Sequence, residues 1–227
     1  MNTTLVIPAA GSGTRFGASL PKQFVALAGV PIIVRTLQVI EQTSVVQNVV
    51  IAAASDFHAT IAHLKQEYHL TKITAVIEGG KERQDSILNA LQTSACAAAE
   101  VILVHDAVRP FITPDFVQHI VEAAWQHGAA IPGLMPKETI KEMSEVGTVR
   151  TTHERSQLRA IQTPQGFRRE IIVEAYRKAY REGFLGTDDA SVVEFAGYPV
   201  HIVPGREKNI KITTPLDFQW GEFLLHK

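Results

Sequence analysis

The segment at residues 8–17 carries the clearest signs of chemistry in this sequence. It reads PAAGSGTRFG, and its small side chains would let backbone N–H groups approach phosphate oxygens closely. Arg15 lies inside the segment and Lys22 lies shortly beyond it, so two cations accompany the N–H groups. The glycine spacing fits neither the Walker loop nor the dinucleotide fingerprint. We therefore expect a loop that binds a polyphosphate, with a tight turn whose basic residues face solvent as the alternative.

A second candidate site follows the apolar run at 101–104. Asp106 and Arg109 come directly after this run, and open α/β sheets bind ligands at the carboxyl ends of their strands. A carboxylate there can order metal-bound water or ligand hydroxyls, and an arginine can clamp a phosphate. The alternative is a capping aspartate that pairs with Arg109. We interpret the neighbouring His105 as structural, because a lone histidine at a strand end is more often structural than catalytic.

Lys211 is a third candidate, near the end of the chain. It lies between Ile210 and Ile212 in a stretch that we expect to be a short strand, so its side chain would point away from both isoleucines. This local pattern by itself favours a solvated strand face.

The elements that must position these residues alternate along the chain. Short apolar runs rich in β-branched residues alternate with segments of helical period, which is typical of βαβ units. The predicted strands are 4–7, 48–51, 73–77, 101–104, 199–203 and 210–213, and the predicted helices begin near 31, 56, 83, 114, 168, 188 and 215. The sequence thus predicts an α/β fold with a doubly wound, mainly parallel sheet.

The stretch at about 133–160 has a different, polar character. Residues 137–143 and 148–153 flank a glycine-containing turn and predict a β-hairpin arm. Such a ribbon is marginal in water by itself, so we expect another surface to cover it, and a second copy of the chain would serve. We predict that residues 1–227 form a single domain, which carries this arm at about 133–160.

Composition limits the possible partners and compartment. The 227 residues include 22 basic and 23 acidic side chains, a formal charge of −1 that gives no general attraction to nucleic acid or anionic membranes. Cys96 is the only cysteine, which excludes an internal disulfide. The N-terminal residues do not resemble a signal peptide, and no stretch is long and apolar enough to span a membrane. We therefore expect a soluble cytoplasmic protein that binds neither nucleic acid nor membrane.

Taken together, six blocks of the sequence resemble the family of 2-C-methyl-D-erythritol 4-phosphate cytidylyltransferases. The blocks cover essentially the whole chain and are 8–17 with 21–24, 79–86, 104–110, 162–167, 187–191 and 209–211. The resemblance implies a Rossmann-like nucleotidyltransferase core and a homodimer whose arms reach into the partner's site. It also implies transfer of CMP from CTP to 2-C-methyl-D-erythritol 4-phosphate, with release of pyrophosphate, in non-mevalonate isoprenoid biosynthesis. Mg²⁺ or another divalent cation would be the cofactor.

The resemblance also assigns roles to individual residues, and it reverses the local interpretation of Lys211. The implied catalytic cations are Arg15, Lys22 and Lys211. The implied nucleotide-binding positions are Ala9, Ala10, Gly11, Gly13, Gly80, Ser86 and Asp106. The implied positions around the acceptor are Asp106, Arg109, Thr139, Arg155, Thr163 and Thr187. Thr139 and Arg155 lie on the arm and would act in the neighbouring subunit, and the protein ligands of the metal are not identified.

Three alternative functions stay open from the sequence. The nearest is a cytidylyltransferase for another phosphorylated polyol, such as ribitol 5-phosphate. A nicotinamide-dependent dehydrogenase is disfavoured by the glycine spacing of residues 8–17. A nucleotide-sensing or scaffold protein would bind CTP without releasing pyrophosphate.

Overall fold

A mixed β-sheet forms the centre of the computed structural model, which describes residues 1–11 and 20–226. The strands in chain order are β1 (Thr3–Pro8), β2 (Ala26–Leu27), β3 (Val30–Pro31), β4 (Asn48–Ala53), β5 (Ile73–Glu78), β6 (Val101–Val104), β7 (Ala129–Leu134), β8 (Lys141–Met143), β9 (Val149–Thr152), β10 (Ala160–Ile161), β11 (Gln165–Arg168) and β12 (His201–Pro204). Eight of these described strands belong to the central sheet, while β2 pairs with β3 and β8 pairs with β9.

The central sheet has a parallel part and a mixed part. Strands β6, β1, β4 and β5 lie side by side and are parallel. Strand β11 runs antiparallel to both β6 and β7, and so connects the parallel part to β7. Strand β10 then pairs antiparallel with β7, and β12 pairs parallel with it. Apart from β11 and β10, the order is that of a doubly wound fold.

Helices cover both faces of this sheet. They are α1 (Ile32–Glu41), α2 (His58–Glu67), α3 (Arg83–Leu91), α4 (Ser94–Ala97), α5 (Pro114–His127), α6 (Arg169–Glu182), α7 (Asp189–Phe195) and α8 (Pro215–Leu225). Helices α1, α2 and α5 contribute to one buried cluster, and α3, α4, α6 and α7 to the other. In the chain outside 12–19 and 227, no helix has the length and apolar character needed to cross a bilayer.

The strand β1 shows how the two clusters arise from the sequence. Because successive side chains of a strand point to opposite faces, Leu5 and Ile7 enter the first cluster and Val6 enters the second. All three are fully buried, as expected for a central strand covered on both sides. The doubly wound, mainly parallel α/β fold predicted from the sequence is confirmed.

The prediction of a strand at residues 210–213 is wrong. Strand β12 ends at Pro204, and the chain after it forms a turn followed by a segment outside any ladder. One backbone hydrogen bond, from Ile212 N to Val108 O at 3.0 Å, joins this segment to the loop after β6. The β-branched residues of this segment gave a strand pattern in the sequence. Ile212 is indeed fully buried, but it is buried in a small cluster beside α8 and not in a sheet.

Three strands of the central sheet were not predicted, and one of them is the two-residue strand β10, Ala160–Ile161. Strand β7 contains Pro132 and Gly133, which are residues that weaken a strand pattern. Strand β11 has only the residues Gln165–Arg168, too few to show a period. Apart from β12, the mixed part of the sheet therefore had no clear signal in the sequence.

The polar stretch contains the two-stranded β8–β9 hairpin. Its base lies where β7 and β10 pair, with Leu134 opposite Ala160, and its outer part is the β8–β9 hairpin. Gly147 has a φ of 82°, which the turn between these strands requires. Every residue of β9 is exposed. The arm thus has a hairpin structure with little apolar burial of its own.

Candidate active site

A cleft of about 370 Å³ opens at the carboxyl ends of β1, β5 and β6. This is the edge at which open α/β sheets bind ligands. The cleft brings together eight of the predicted site residues, namely Ala9, Ala10, Gly11, Lys22, Gly80, Ser86, Asp106 and Lys211. The candidates from the two ends of the chain therefore meet in one place. Arg15 and Gly13 lie outside the described residues.

Gln23 links the start of the glycine-rich loop to Lys22. Its side chain is buried, and its amide nitrogen donates to the carbonyl oxygens of Ala9 at 2.6 Å and Gly11 at 3.2 Å. Gln23 belongs to a short 3-10 helix, Lys22–Phe24, so these bonds fix the position of that helix against the loop. Lys22 is thereby held at the cleft beside the backbone of residues 9–11. Gln23 is not among the predicted site residues, although it adjoins Lys22 in a block that carries the family resemblance.

Gly79 and Gly80 let the loop after β5 approach the loop after β1. A Cβ atom on Gly79 would lie 2.3 Å from the Cβ of Ala10, and one on Gly80 would lie 2.1 Å from the Cβ of Asp85. Neither position has room for a side chain. The N–H of Gly80 donates to Ser86 Oγ at 2.9 Å, which closes the loop that leads into α3. Gly80 thus lines the cleft, and Gly79 packs closely against Ala10 beside it.

Asp106 is the electrostatic centre of the cleft. Its Oδ2 accepts from Lys211 Nζ at 2.9 Å and from Arg109 Nε at 3.1 Å, and its Oδ1 lies 3.9 Å from Arg83 Nε. Burial alone would raise the pKa of Asp106, but the positive charges of Lys211, Arg83 and Arg109 outweigh it and hold that pKa well below its usual range. The carboxylate is therefore ionised. Its surroundings carry more positive than negative charge, as a site for phosphate groups needs.

Arg83 joins this centre to the start of α7. Its guanidinium makes two hydrogen bonds to the carboxylate of Asp189, at 3.0 and 2.7 Å, and Tyr176 donates to the same carboxylate at 2.5 Å. Asp189 is fully buried. Burial would lower the pKa of Arg83, but Asp189 more than reverses this and raises it. Neither Arg83 nor Asp189 is in the predicted site. Their place in blocks that carry the family resemblance is the signal that could have revealed them.

Arg109 and Thr163 lie beneath the cleft. The guanidinium of Arg109 binds Asp106 and also donates to the carbonyl oxygen of Asn209 at 2.9 Å. The pairing of Asp106 with Arg109, which the sequence left as an alternative, is therefore present. Thr163 precedes a cis peptide bond to Pro164, and its Oγ1 accepts from the N–H of Asp106 at 3.1 Å. Arg109 thus contacts the carboxylate of Asp106, and Thr163 contacts its backbone N–H.

Buried amides hold the segment that carries Lys211. Gln162 Nε2 donates to the carbonyl oxygens of Arg206 at 2.9 Å and Asn209 at 3.2 Å, and Gln162 Oε1 accepts from Arg206 N at 3.0 Å. Asn209 Nδ2 donates to Thr163 O at 2.8 Å. These side chains replace the ladder that a strand would provide, and they set where the lysine enters the cleft.

The remaining predicted residues do not line the cleft of their own chain. Thr139 and Arg155 lie on the arm and Thr187 lies in the loop before α7, and all three are exposed. The guanidinium of Arg155 donates to the carbonyl oxygen of Lys137 at 2.7 Å, within the arm. Neither arm residue contributes to the described lining of the cleft of its own chain.

The described residues by themselves do not form a metal site. Within 1–11 and 20–226, no group of three or more His, Cys, Asp and Glu side chains is placed to hold an ion. Asp106 is a carboxylate of the cleft whose Oδ2 already accepts two hydrogen bonds. Mg²⁺ is commonly bound through one or two carboxylates together with substrate phosphates. The cleft therefore fits a cation that enters with a polyphosphate.

Comparison with protein families gives a match over almost the whole chain. The model described as IspD, 2-C-methyl-D-erythritol 4-phosphate cytidylyltransferase, matches residues 3–227. The protein of that name from Bacillus mycoides is 46% identical over 223 residues, which are 98% of this chain and 97% of the relative. The one from Symbiobacterium thermophilum is 43% identical over 224 residues, which are 99% of this chain and 93% of the relative.

Solved structures agree with this result. A 4-diphosphocytidyl-2C-methyl-D-erythritol synthase from Anaerococcus prevotii aligns with a TM-score of 0.86 at 26% identity, covering 99% of this chain and 96% of its own. A 2-C-methyl-D-erythritol 4-phosphate cytidylyltransferase from Thermus thermophilus aligns with a TM-score of 0.81 at 31% identity, covering 98% of both chains. The similarity extends over the fold as well as the sequence.

Proposed function

This chain belongs to the 2-C-methyl-D-erythritol 4-phosphate cytidylyltransferase family, and we propose that the cleft at the carboxyl ends of β1, β5 and β6 is its reaction centre. The enzyme transfers CMP from CTP to 2-C-methyl-D-erythritol 4-phosphate and releases pyrophosphate, a step of non-mevalonate isoprenoid biosynthesis. The observation that carries the assignment is the meeting of Lys22, Lys211 and Asp106 around one cleft.

The proposed reaction is a direct displacement. A phosphate oxygen of the acceptor attacks the α-phosphorus of CTP in line, its new P–O bond forms as the bond to the β-phosphate oxygen breaks, and pyrophosphate leaves. In such transfers the protein mainly positions the reactants and stabilises developing charge. Lys22 and Lys211 supply positive charge in the cleft, and the backbone of residues 9–11 borders the same space. We assign Arg15 the same task as a third cation.

Asp106 would orient Lys211 for this task. A lysine ammonium has three N–H donors, and the bond to Asp106 Oδ2 uses one of them. The others remain for phosphate oxygens of the substrates. We assign the part of the cleft lined by Gly80 and Ser86 to the cytosine. Arg109, Thr163 and Thr187 are assigned to the acceptor side.

We propose a divalent cation, Mg²⁺ in the simplest case, as the cofactor. The triphosphate oxygens would hold it, with Asp106 as the protein group nearest to that role. When bound, it would neutralise charge on the phosphates and on the leaving pyrophosphate.

We also propose a homodimer in which the arm completes the partner's site. Thr139 and Arg155 are exposed on the arm and absent from the cleft of their own chain. The arm's hairpin exposes Met143, Val146 and Val149 by 72%, 84% and 59%, which are apolar side chains that a second subunit would cover. The substrates are small and water-soluble, and we place the enzyme in the cytoplasm.

The acceptor assay tests the proposed function. The purified protein is incubated with CTP, Mg²⁺ and either 2-C-methyl-D-erythritol 4-phosphate or ribitol 5-phosphate, and released pyrophosphate is measured. We expect rapid release with the first acceptor only. Faster release with ribitol 5-phosphate would identify the other cytidylyltransferase activity, and CTP binding without release from either would indicate a nucleotide-sensing protein.

A further inference from the structure

His105 is a fully buried titratable residue that no step of the transfer uses. It is the first residue after β6, and it does not belong to the lining of the cleft. Its Nδ1 lies 2.9 Å from Thr163 Oγ1, and its Nε2 lies 3.2 Å from the carbonyl oxygen of Arg109. The imidazole therefore connects the loop that carries Asp106 to the Thr163 hydroxyl.

The partners of His105 define which nitrogen carries its hydrogen. The carbonyl oxygen of Arg109 can only accept, so Nε2 is the N–H donor, and Nδ1 of the neutral ring is then an acceptor. The Thr163 hydroxyl donates to Nδ1, and its oxygen accepts from the N–H of Asp106 at 3.1 Å. Every hydrogen in this chain of bonds has an acceptor.

The electrostatic surroundings agree with a neutral ring. Burial lowers the pKa of His105 to about 4; the carboxylate of Asp106 opposes this shift, while the cations of Arg109 and Lys211 add to it. A protonated ring would present two donors, and the Thr163 hydroxyl hydrogen would then lose its acceptor.

The bond from His105 completes the support of the turn that follows β6. Four consecutive carbonyl groups of this turn each accept a hydrogen bond. The pairs are Asp106 O with Arg109 N at 3.2 Å, Ala107 O with Thr36 Oγ1 at 2.9 Å, Val108 O with Ile212 N at 3.0 Å, and Arg109 O with His105 Nε2 at 3.2 Å. The backbone that carries Asp106 is thus fixed at each peptide group.

We propose that His105 is a positioning residue for cytidylyl transfer. Its neutral ring holds the Thr163 hydroxyl and the Arg109 carbonyl, and through them it fixes the direction of the Asp106 carboxylate that binds Lys211. The contacts run from His105 to Thr163, from Thr163 to Asp106, and from Asp106 to Lys211. His105 exchanges no proton with substrate in this role. The inference rests on the site proposed above for the reaction.

Two substitutions separate this role from simple packing. His105→Phe keeps a ring and removes both hydrogen bonds, whereas His105→Asn keeps a side-chain oxygen that can accept from Thr163. We expect kcat to fall about 10²-fold in His105→Phe, because small displacements of reacting groups cost rates of this order. His105→Asn should recover activity to within about 10-fold of the unaltered enzyme, as a partial restoration of the same geometry. Equal activities of the two variants would overturn the proposal.

Val121→Ala is the matched control. Val121 is a fully buried residue of α5 that is absent from the cleft lining. This change should lower the melting temperature while leaving kcat unchanged. In His105→Phe we expect a large loss of kcat, while the affinity for CTP stays within about 3-fold of that of the unaltered enzyme. A change that affects only the transition state lowers kcat without weakening substrate binding. If kcat falls in proportion to the melting temperature in both Val121→Ala and His105→Phe, then lost packing explains both variants. That result would overturn the positioning role of His105.

A double-mutant cycle with Thr163→Val tests the path from His105 to Asp106. If His105 acts through the Thr163 hydroxyl, the double variant should lose little more than the worse single variant. Losses that multiply would overturn the path. The ¹⁵N resonances of the imidazole, identified by their absence in His105→Phe, should show a neutral ring protonated at Nε2 at pH 7, and a ring protonated at Nδ1 would contradict the proposal.

Asp106→Asn distinguishes this inference from the proposed function. Normal turnover in Asp106→Asn would refute the proposal that the cleft is the reaction centre. Normal turnover in folded His105→Phe, together with an inactive Asp106→Asn enzyme, would refute only the positioning role of His105.

Discussion

Lys211 Nζ lies 2.9 Å from Asp106 Oδ2, although one residue follows β6 and the other lies beyond the loop after β12. The side chain of Asp106 is 10% exposed and that of Lys211 is 42% exposed, so the ammonium group lies on the open side of the pair. The carboxylate holds the lysine at the cleft while leaving it accessible to a ligand. This ion pair connects the middle of the chain to its C-terminal part at the proposed reaction centre.

Removal of Lys211 should affect both turnover and acid stability. In Lys211→Ala we expect kcat to fall about 10²- to 10³-fold, the usual loss for one preorganised donor. The pKa of Asp106 should rise toward its usual value, because Lys211 is the first of the charges that lower it. Steady-state kinetics and urea unfolding at several pH values would measure the two effects.

The sign of the pH effect follows from the direction of that shift. A carboxyl group whose pKa is lower in the folded state stabilises the fold above its unfolded pKa of about 4, and this contribution is lost as the pH falls toward the folded value. Lys211→Ala should therefore be less stable than the unaltered protein at pH 7, and the difference should shrink below about pH 4. A difference that stays constant down to pH 3 would contradict the assignment. Lys208→Ala, on the same segment and exposed, is the control.

Lys22→Ala should lose turnover while the fold survives. Lys22 supplies charge at the cleft, and its 3-10 helix is held by the buried side chain of Gln23, which remains in the variant. We expect a loss of about 10²- to 10³-fold in kcat. Circular dichroism and the melting temperature would confirm folding. Turnover close to normal in a folded Lys22→Ala protein would refute the assignment.

The bond between Arg83 and Asp189 should stabilise the folded protein. Asp189→Ala would leave Arg83 without its bidentate partner and Tyr176 without an acceptor. We expect a loss of about 3 kcal/mol in the free energy of unfolding, the lower end of the range for buried ion pairs because Arg83 is partly exposed. Tyr176→Phe, which removes one of these hydrogen bonds, should cost about 1 kcal/mol. Denaturant titration measures both, and equal losses would show that the ion pair adds nothing beyond the hydroxyl.

Mixed dimers test the sharing of sites between subunits. Lys22→Ala and Arg155→Ala homodimers should each be defective, since Lys22 lies in the cleft and Arg155 lies on the arm. In a mixed dimer one site would carry both defects and the other would carry neither. Mixing should therefore restore part of the activity, up to about one intact site per dimer. Absence of rescue in a verified mixed dimer would show that the arm acts within its own chain.

Much of the fold could be predicted because its parallel part has strong local signals. Strands β1, β4, β5 and β6 are apolar runs, and α3 begins at residue 83, where the sequence predicted a helix start. In the first turn of α3, Asp85 Oδ2 accepts from the N–H of Glu82 at 3.0 Å and so stabilises the start of the helix. Strands β7, β10 and β11 were missed because pairing with distant strands, and not a local pattern, makes these segments into strands.

The residues of the candidate site were also only partly predictable from local sequence patterns. Asp106 could be predicted from its place after an apolar strand, and the loop after β1 from its small residues. Lys211 could not, because the side chains of Gln162 and Asn209, distant in sequence from β6, bring it to the cleft. Arg83 and Asp189 also lacked a local signal. They are far apart in the sequence, and only the folded structure shows that they form an ion pair. Family resemblance supplied Lys211 where local pattern favoured a solvated lysine.

The position of β11 has a consequence for folding. Strands β1, β4, β5 and β6 can pair as soon as the first half of the chain has been made, but β7 has to wait for β11, which is synthesised after the whole arm. Until then the edge of β6 is unpaired, and an unpaired strand edge can recruit other chains. Slow synthesis or a long insertion within the arm should therefore favour aggregation of nascent chains, even where the finished enzyme would be stable.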